Sequence, residues 1–292
     1  MSAAQTREER LDKRRKISLT LWRRLVQIAT LAFFVGVPLL NLYGVNAITG
    51  TLYSVAVGSL TMSDPLVVIQ HVLAAKELYV PLLLSVALPV VLAVALGPVF
   101  CSWMCPQGFM SELIEFLHQR LMPSRNTHLA VRSGAGWIRV KWGILVGGLI
   151  AVALFSLPLF NYISAPGIIT TQLASGIFLG TVGIELVVIA AVLVFEFFWI
   201  RRGWCKVVCP IGAALIAMKS PLTLRIEHNE QHKCNTSACK VACVTSCQLD
   251  IDPRNAKAMW LCTNCAACVD ACPDSALLFT LSSTRFAAGR RA

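Results

Sequence analysis

The chain has 292 residues, 56% of them hydrophobic and only 14% charged, with a formal net charge of +11 and twelve cysteines. That composition excludes an ordinary soluble domain and points to a bilayer. The positive charge calls for no nucleic acid, because basic flanks lying against anionic membrane lipid account for it.

In chain order, residues 1–24 form a basic N-terminal segment. Four apolar runs follow, Leu25 to Tyr43, Leu78 to Phe100, Gly143 to Ile163 and Ile177 to Ile200, each long enough to cross about 30 Å of hydrocarbon as a helix. The first is too long for a signal-peptide core and is expected to be retained. Arg23-Arg24 ahead of it reads as a positive membrane flank rather than a twin-arginine signal. Between the first two runs, Asp64-Pro65 has the form of an N-cap followed by proline at the first helical position. The apolar pattern through Val68, Ile69, Val72 and Leu73 then predicts a short amphipathic helix over 65–76 on the outer membrane face. It would roof a quinone pocket or simply pack over the bundle.

Four spans place both termini on one side. Of the 26 Lys and Arg, 25 fall in residues 1–24, 101–142 and 201–292. The positive-inside rule therefore assigns both termini, the middle loop and all twelve cysteines to the cytoplasmic side of a bacterial inner membrane. Thiols stay reduced there, which favours metal ligation over disulfides.

The membrane part repeats a plan of apolar helix, outer loop, apolar helix and Cys-x-x-x-Cys-Pro. The two endings are Cys101-Ser-Trp-Met-Cys105-Pro106-Gln-Gly108 and Cys205-Lys-Val-Val-Cys209-Pro210-Ile-Gly212, and Pro38-Leu-Leu-Asn41 matches Pro158-Leu-Phe-Asn161. Two helix pairs related by an axis along the membrane normal would bring Cys101, Cys105, Cys205 and Cys209 face to face at the inner surface. In a helix, cysteines at i and i+4 share a face. The four thiols are thus candidates for a further metal or cluster site or a redox-active pair; the alternative is that they pack as small hydrophobes. Glu185 and Glu196, eleven residues apart in the fourth run, lie nearly on one face and are candidates for relaying protons. No pair of histidines lies within the spans, so a b-type haem is not expected.

The tail carries the strongest pattern. Cys262-x-x-Cys265-x-x-Cys268-x-x-x-Cys272-Pro273 has the spacing that wraps backbone around one 4Fe-4S cluster while its fourth thiol serves a second. The upstream set, Cys234, Cys239, Cys243 and Cys247, is spaced less regularly. Two 4Fe-4S clusters are expected, Cys262, Cys265, Cys268 and Cys247 holding one and Cys272 with Cys234, Cys239 and Cys243 the other. Structural zinc is the alternative for either set.

Taken with Phe100-Cys101-Ser102-Trp103-Met104-Cys105-Pro106, Gly203-Trp204-Cys205, Cys209-Pro210-Ile211-Gly212 and Ser63-Asp64-Pro65-Leu66, the chain resembles the NapH/MauN family of membrane ferredoxin-type proteins along nearly its whole length. The resemblance implies electron transfer with quinol as donor, serving a periplasmic oxidoreductase of nitrate reduction or methylamine utilisation through partner electron-transfer proteins. The irregular Cys234 to Cys247 spacing departs from the regular motif of the nitrate branch.

The expected architecture is an all-α membrane protein with four transmembrane helices as two repeated pairs and a small cytoplasmic ferredoxin-like domain. The divisions are the basic segment 1–24, a membrane domain 25–210, a connector 211–233, the iron–sulfur domain 234–280 and a tail 281–292. The leading function is an electron conduit drawing on the quinone pool. A maturation factor for a metal or quinone cofactor in a partner enzyme is the alternative, and a zinc-stabilised transporter ranks last because the spans hold few polar groups.

Overall fold

The computed structural model describes residues 18–44, 47–121, 135–181, 183–228, 243–253, 258–272 and 277–281. Helix α1 (Leu19–Leu42) is capped by Ser18, whose hydroxyl accepts the Leu21 N–H. A three-stranded antiparallel meander follows, β1 (Ile48–Thr51), β2 (Ser54–Val57) and β3 (Leu60–Ser63). Its two-residue turns pair Thr51 with Ser54 and Val57 with Leu60, the second turn opening on Gly58 at φ +58°, a conformation glycine adopts without Cβ strain. Helix α2 (Pro65–Ala75) starts as the sequence predicts, with the Asp64 carboxylate accepting the Leu66 N–H. Helices α3 (Val80–Leu96), α4 (Val99–Trp103) and α5 (Pro106–Leu121) complete the first half.

The second half runs through α6 (Ala135–Phe155), α7 (Leu159–Ile163), α8 (Ala165–Leu179), α9 (Glu185–Phe198), a π-helical turn over Trp204–Val208 and α10 (Pro210–Ala217). Strand β4 (Leu224–His228) pairs antiparallel with β5 (Leu277–Leu281), and α11 (Ala267–Ala271) lies between them in sequence.

The duplication is visible in the packing. The long helix of each half touches its own Cys-x-x-x-Cys element and also the proline-started helix of the other half, α1 against α8 and α6 against α2. Two helices, Leu19–Leu42 and Trp137–Phe155, are long and apolar enough to cross a membrane. The outer faces of α3, α6 and α9 leave Leu84, Val91, Ile150, Leu154 and Val187 more than half exposed, apolar surface of the kind that marks a membrane or partner contact.

Four expectations are corrected. The fold is mostly helical rather than all-α, because β-branched residues around tight turns fold 48–63 into a sheet and β4–β5 ties the ends of the Cys-rich module together. Since β4 lies upstream of Cys234, the stretch read as a connector over 211–233 supplies α10 and a strand of that module. The third apolar run becomes α6 displaced toward the N-terminus: Ser156 takes φ +54° and Pro158 disfavours helix at the residue before it, so the chain breaks there. Residues 165–179, expected as outer loop and the start of the fourth span, form a separate helix.

Candidate metal centres

Each Cys-x-x-x-Cys-Pro motif spans a helix break. Cys101 lies in α4 and Cys205 in the π-helical turn, whereas Cys105 and Cys209 stand immediately ahead of the next helices. The expectation of one continuous helix carrying both cysteines is therefore corrected. Proline at 106 and 210 has no N–H to continue a helix, yet fits the first position of a new one. The second cysteine of each pair consequently stands at the N-cap position, Cys209 without a side-chain capping hydrogen bond. The nearby amides of Gln107 and Gly108 act against burial at the Cys105 thiol, as those of Ile211 and Gly212 do at Cys209. Glycine is needed because a Cβ at 108 would meet the Cys101 carbonyl oxygen at 2.6 Å.

The four thiols line one cavity with Lys141 and Arg202. Burial pushes every one of them up, Cys105 to about 12; repulsion from neighbouring thiolates adds to it at Cys101 and Cys105, Glu196 and then the thiolates at Cys205, and Asp64 at Cys209. Lys141 acts in the opposite sense on Cys101 and Cys209, and Arg202 on Cys101, Cys105 and Cys205. Lys141 Nζ is fixed by the Cys205 carbonyl at 3.0 Å. Burial thus disfavours thiolates here, and a cationic centre would offset it.

In the tail, Asn264 and Ala266 take left-handed backbone at φ +55° and +63°. Such alternation turns successive amides to one side and forms a concave nest for anionic groups. The Asn264 N–H points at Cys262 Sγ at 3.4 Å, and the Ile251 N–H at Cys247 Sγ at the same distance. Cys247, Cys262, Cys265 and Cys268 lie close enough for their charges to act on one another. Cys243, Cys268 and Cys272 pack together with Ile226 and Leu277 in the module's small core. Cys234 and Cys239 lie outside the described residues. Among the described residues no three or more His, Cys, Asp or Glu close tightly enough for a single metal ion. The tail's N–H···S bonds to Cys247 and Cys262 suit thiolates held on iron.

The two sites abut. Ser102, next to Cys101, donates to the hydroxyl of Thr263, next to Cys262, at 2.5 Å, and Trp103 Nε1 donates to the Asn264 carbonyl at 3.1 Å. Lys219 donates to the carbonyls of Trp260 and Cys262, each at 2.7 Å.

Glu112 in α5, 4% exposed, joins these parts and was not singled out from the sequence. It pairs with Arg23 at 3.3 Å, Arg24 at 2.6 Å and Arg202 at 2.7 Å, and accepts from Gln248 at 2.7 Å. Burial pushes its carboxyl up, but the three guanidiniums outweigh burial and hold it below the ordinary range. Arg23 also donates to the Cys265 carbonyl at 3.1 Å. It is buried, so the flank reading of Arg23-Arg24 holds only for its partly exposed neighbour. The paired arginines 23–24 and 201–202, with one glutamate just past the first Cys-Pro, were the available signal.

The two acids of the fourth run part company. Glu196 is buried and accepts from Ser111 Oγ at 2.6 Å and the Trp204 N–H at 3.0 Å, beside Cys205. Glu185 starts α9 and accepts from Gln172. No chain of side chains joins them among the described residues.

A 4Fe-4S binding domain family matches residues 78–125 and 181–217, the two segments that carry the Cys-x-x-x-Cys-Pro motifs. The ferredoxin-type protein NapH of Haemophilus influenzae is 29% identical over 91% of this chain and 89% of its own length. The methylamine utilization ferredoxin-type protein MauN of Methylorubrum extorquens is 28% identical over 76% of this chain and 73% of its own. A putative electron transport protein of Escherichia coli, YccM, is 28% identical over 70% of this chain and 56% of its own. No solved structure matches. Over most of its length the chain is a distant homologue of the ferredoxin-type NapH and MauN proteins, and two of its segments match a 4Fe-4S binding domain.

Proposed function

We propose that this protein is a membrane-bound conduit that takes electrons from quinol and passes them, by way of a two-cluster tail, toward a periplasmic oxidoreductase system and its partner electron-transfer proteins. The observation that carries this reading is the seam where Cys101-Ser102 of the apolar body meets Cys262-Thr263 of the tail. A body and a tail with unrelated tasks would have no reason to join through residues adjacent to their cysteines.

In this reading α1, α3, α6 and α9 are the four spans. Helices α3 and α9, with 17 and 14 residues, reach only about 25 and 21 Å, a mismatch that bilayer thinning and packing against neighbours accommodate. Arg23, Arg24, Lys141, Arg201, Arg202, Lys206 and Lys219 all meet the cysteine sites or their loops, which supports a cytoplasmic location for that end and for both termini. Cys247, Cys262, Cys265 and Cys268 hold one cluster, and Cys272 with Cys234, Cys239 and Cys243 holds the other. When bound, such clusters supply one-electron steps. The chain's own residues position them: Asn264 and Ile251 give amides to sulfur, and Lys219 and Arg23 fix the loop carbonyls.

Anaerobic protein in lipid nanodiscs tests this. Added quinol should bleach the visible absorbance of the clusters and produce their reduced paramagnetic signals within seconds. If dithionite reduces them and quinol does not, the donor assignment is wrong.

A further inference from the structure

We infer that Cys101, Cys105, Cys205 and Cys209 together hold one additional iron–sulfur cluster, shared between the two halves of the chain. The matched 4Fe-4S domain falls as two segments, but neither half has enough thiols for a cluster of its own. The fold resolves this by facing the halves, so that each supplies one cysteine from a helical turn and one from a helix cap.

Three features separate a ligand set from cysteines used as packing. Both second cysteines stand immediately ahead of a proline-started helix, where the amides of Gln107 and Gly108 in one half and of Ile211 and Gly212 in the other favour negative charge on sulfur. Lys141 and Arg202 stand in the wall of the cavity. Four thiolates around a doubly positive iron–sulfide core leave two negative charges, which Lys141 opposes from the cavity wall, with Arg202 beside it also paired to Glu112. The thiols of both halves also line one cavity, which cysteines packed separately within each half would not.

The place of the site gives it a use. Its remaining wall includes Thr263 from the tail, whose hydroxyl meets Ser102. A centre there lies between the apolar body and the Cys262 cluster. Electrons entering from the bilayer reach the tail through it, and the tail cluster on Cys262 is the nearer of the two. That routing rests on the quinol reading, whereas the existence of the site does not.

The test uses the full chain purified anaerobically. Wild type should contain about twelve iron and twelve acid-labile sulfide, where the tail alone accounts for about eight. Two variants probe the sharing: Cys101→Ser with Cys105→Ser, and Cys205→Ser with Cys209→Ser. Each should lose about four irons, and both should lose the same reduced paramagnetic signal while the tail signals persist. Wild type with only eight irons, zinc in stoichiometric amount, or losses of different signals in the two variants would overturn the proposal. Should the variants misfold, the wild-type iron, sulfide and zinc contents still decide. Because none of these readouts involves quinol, their failure is distinct from failure of the donor assignment.

Discussion

Replacing Glu112 by Gln should loosen the Cys-rich module from the helical body. The carboxylate is the shared counter-ion of Arg23 and Arg202, which are 2% and 4% exposed, and of the partly exposed Arg24. Gln is close to isosteric and keeps an oxygen for Gln248, so the change removes charge with little loss of shape. Leaving buried guanidiniums without their counter-ion costs about 3–5 kcal/mol, a hundredfold or greater rise in the population of undocked molecules, at about 1.4 kcal/mol per tenfold. Limited proteolysis in nanodiscs reads that population when opening is fast relative to cleavage, and Glu112→Asp serves as the charge-conserving control. The sign of the pH effect follows from the lowered carboxyl: its contribution is present above the ordinary carboxylate range and is lost as pH falls through the folded value. The Glu112→Gln protein should lack that acid-side loss. Wild-type protease resistance in Glu112→Gln would refute the idea that this network holds the module in place.

Three further outcomes are expected. A Cβ at Gly167 would lie 1.9 Å from the Tyr53 ring, so Gly167→Ala should lower stability by about 1–3 kcal/mol, while Gly143→Ala, with nothing within 4 Å, should not; thermal denaturation in detergent compares them. Burial pushes Asp64 up to about 6 against the opposing amides of Leu66 and Val67, so its contribution is fully present below the unfolded value of about 4 and is lost as pH rises through about 6. Asp64→Asn keeps an N-cap acceptor and should flatten that part of the stability profile, which a profile unchanged by the substitution would contradict. Alkaline phosphatase fused after Ala292 should be inactive and near Gly58 active, and the reverse would invert the topology.

Much of the plan is legible in the chain because its signals are local. Asp64-Pro65 announces α2, and the paired Cys-Pro motifs announce the duplication and the helix restarts at Pro106 and Pro210. What the sequence conceals depends on tertiary contacts. The meander over 48–63 is short, and its strands are held partly by Tyr53, whose hydroxyl donates to the Asn161 carbonyl at 2.7 Å, a partner 108 residues away. Arg23 looks like any membrane flank until Glu112 and the Cys265 carbonyl are brought against it. The motif Pro38-Leu-Leu-Asn41 stays inside α1, whereas its counterpart breaks the chain at Pro158, because Ser156 adopts left-handed backbone in the second half alone.

The central claim is that these cysteines serve iron–sulfur electron transfer, and combined iron, acid-labile sulfide and zinc analysis of the anaerobically purified chain tests it most directly. The account predicts iron and sulfide in equal amounts, no fewer than about eight of each, with zinc absent. Stoichiometric zinc without labile sulfide would contradict it.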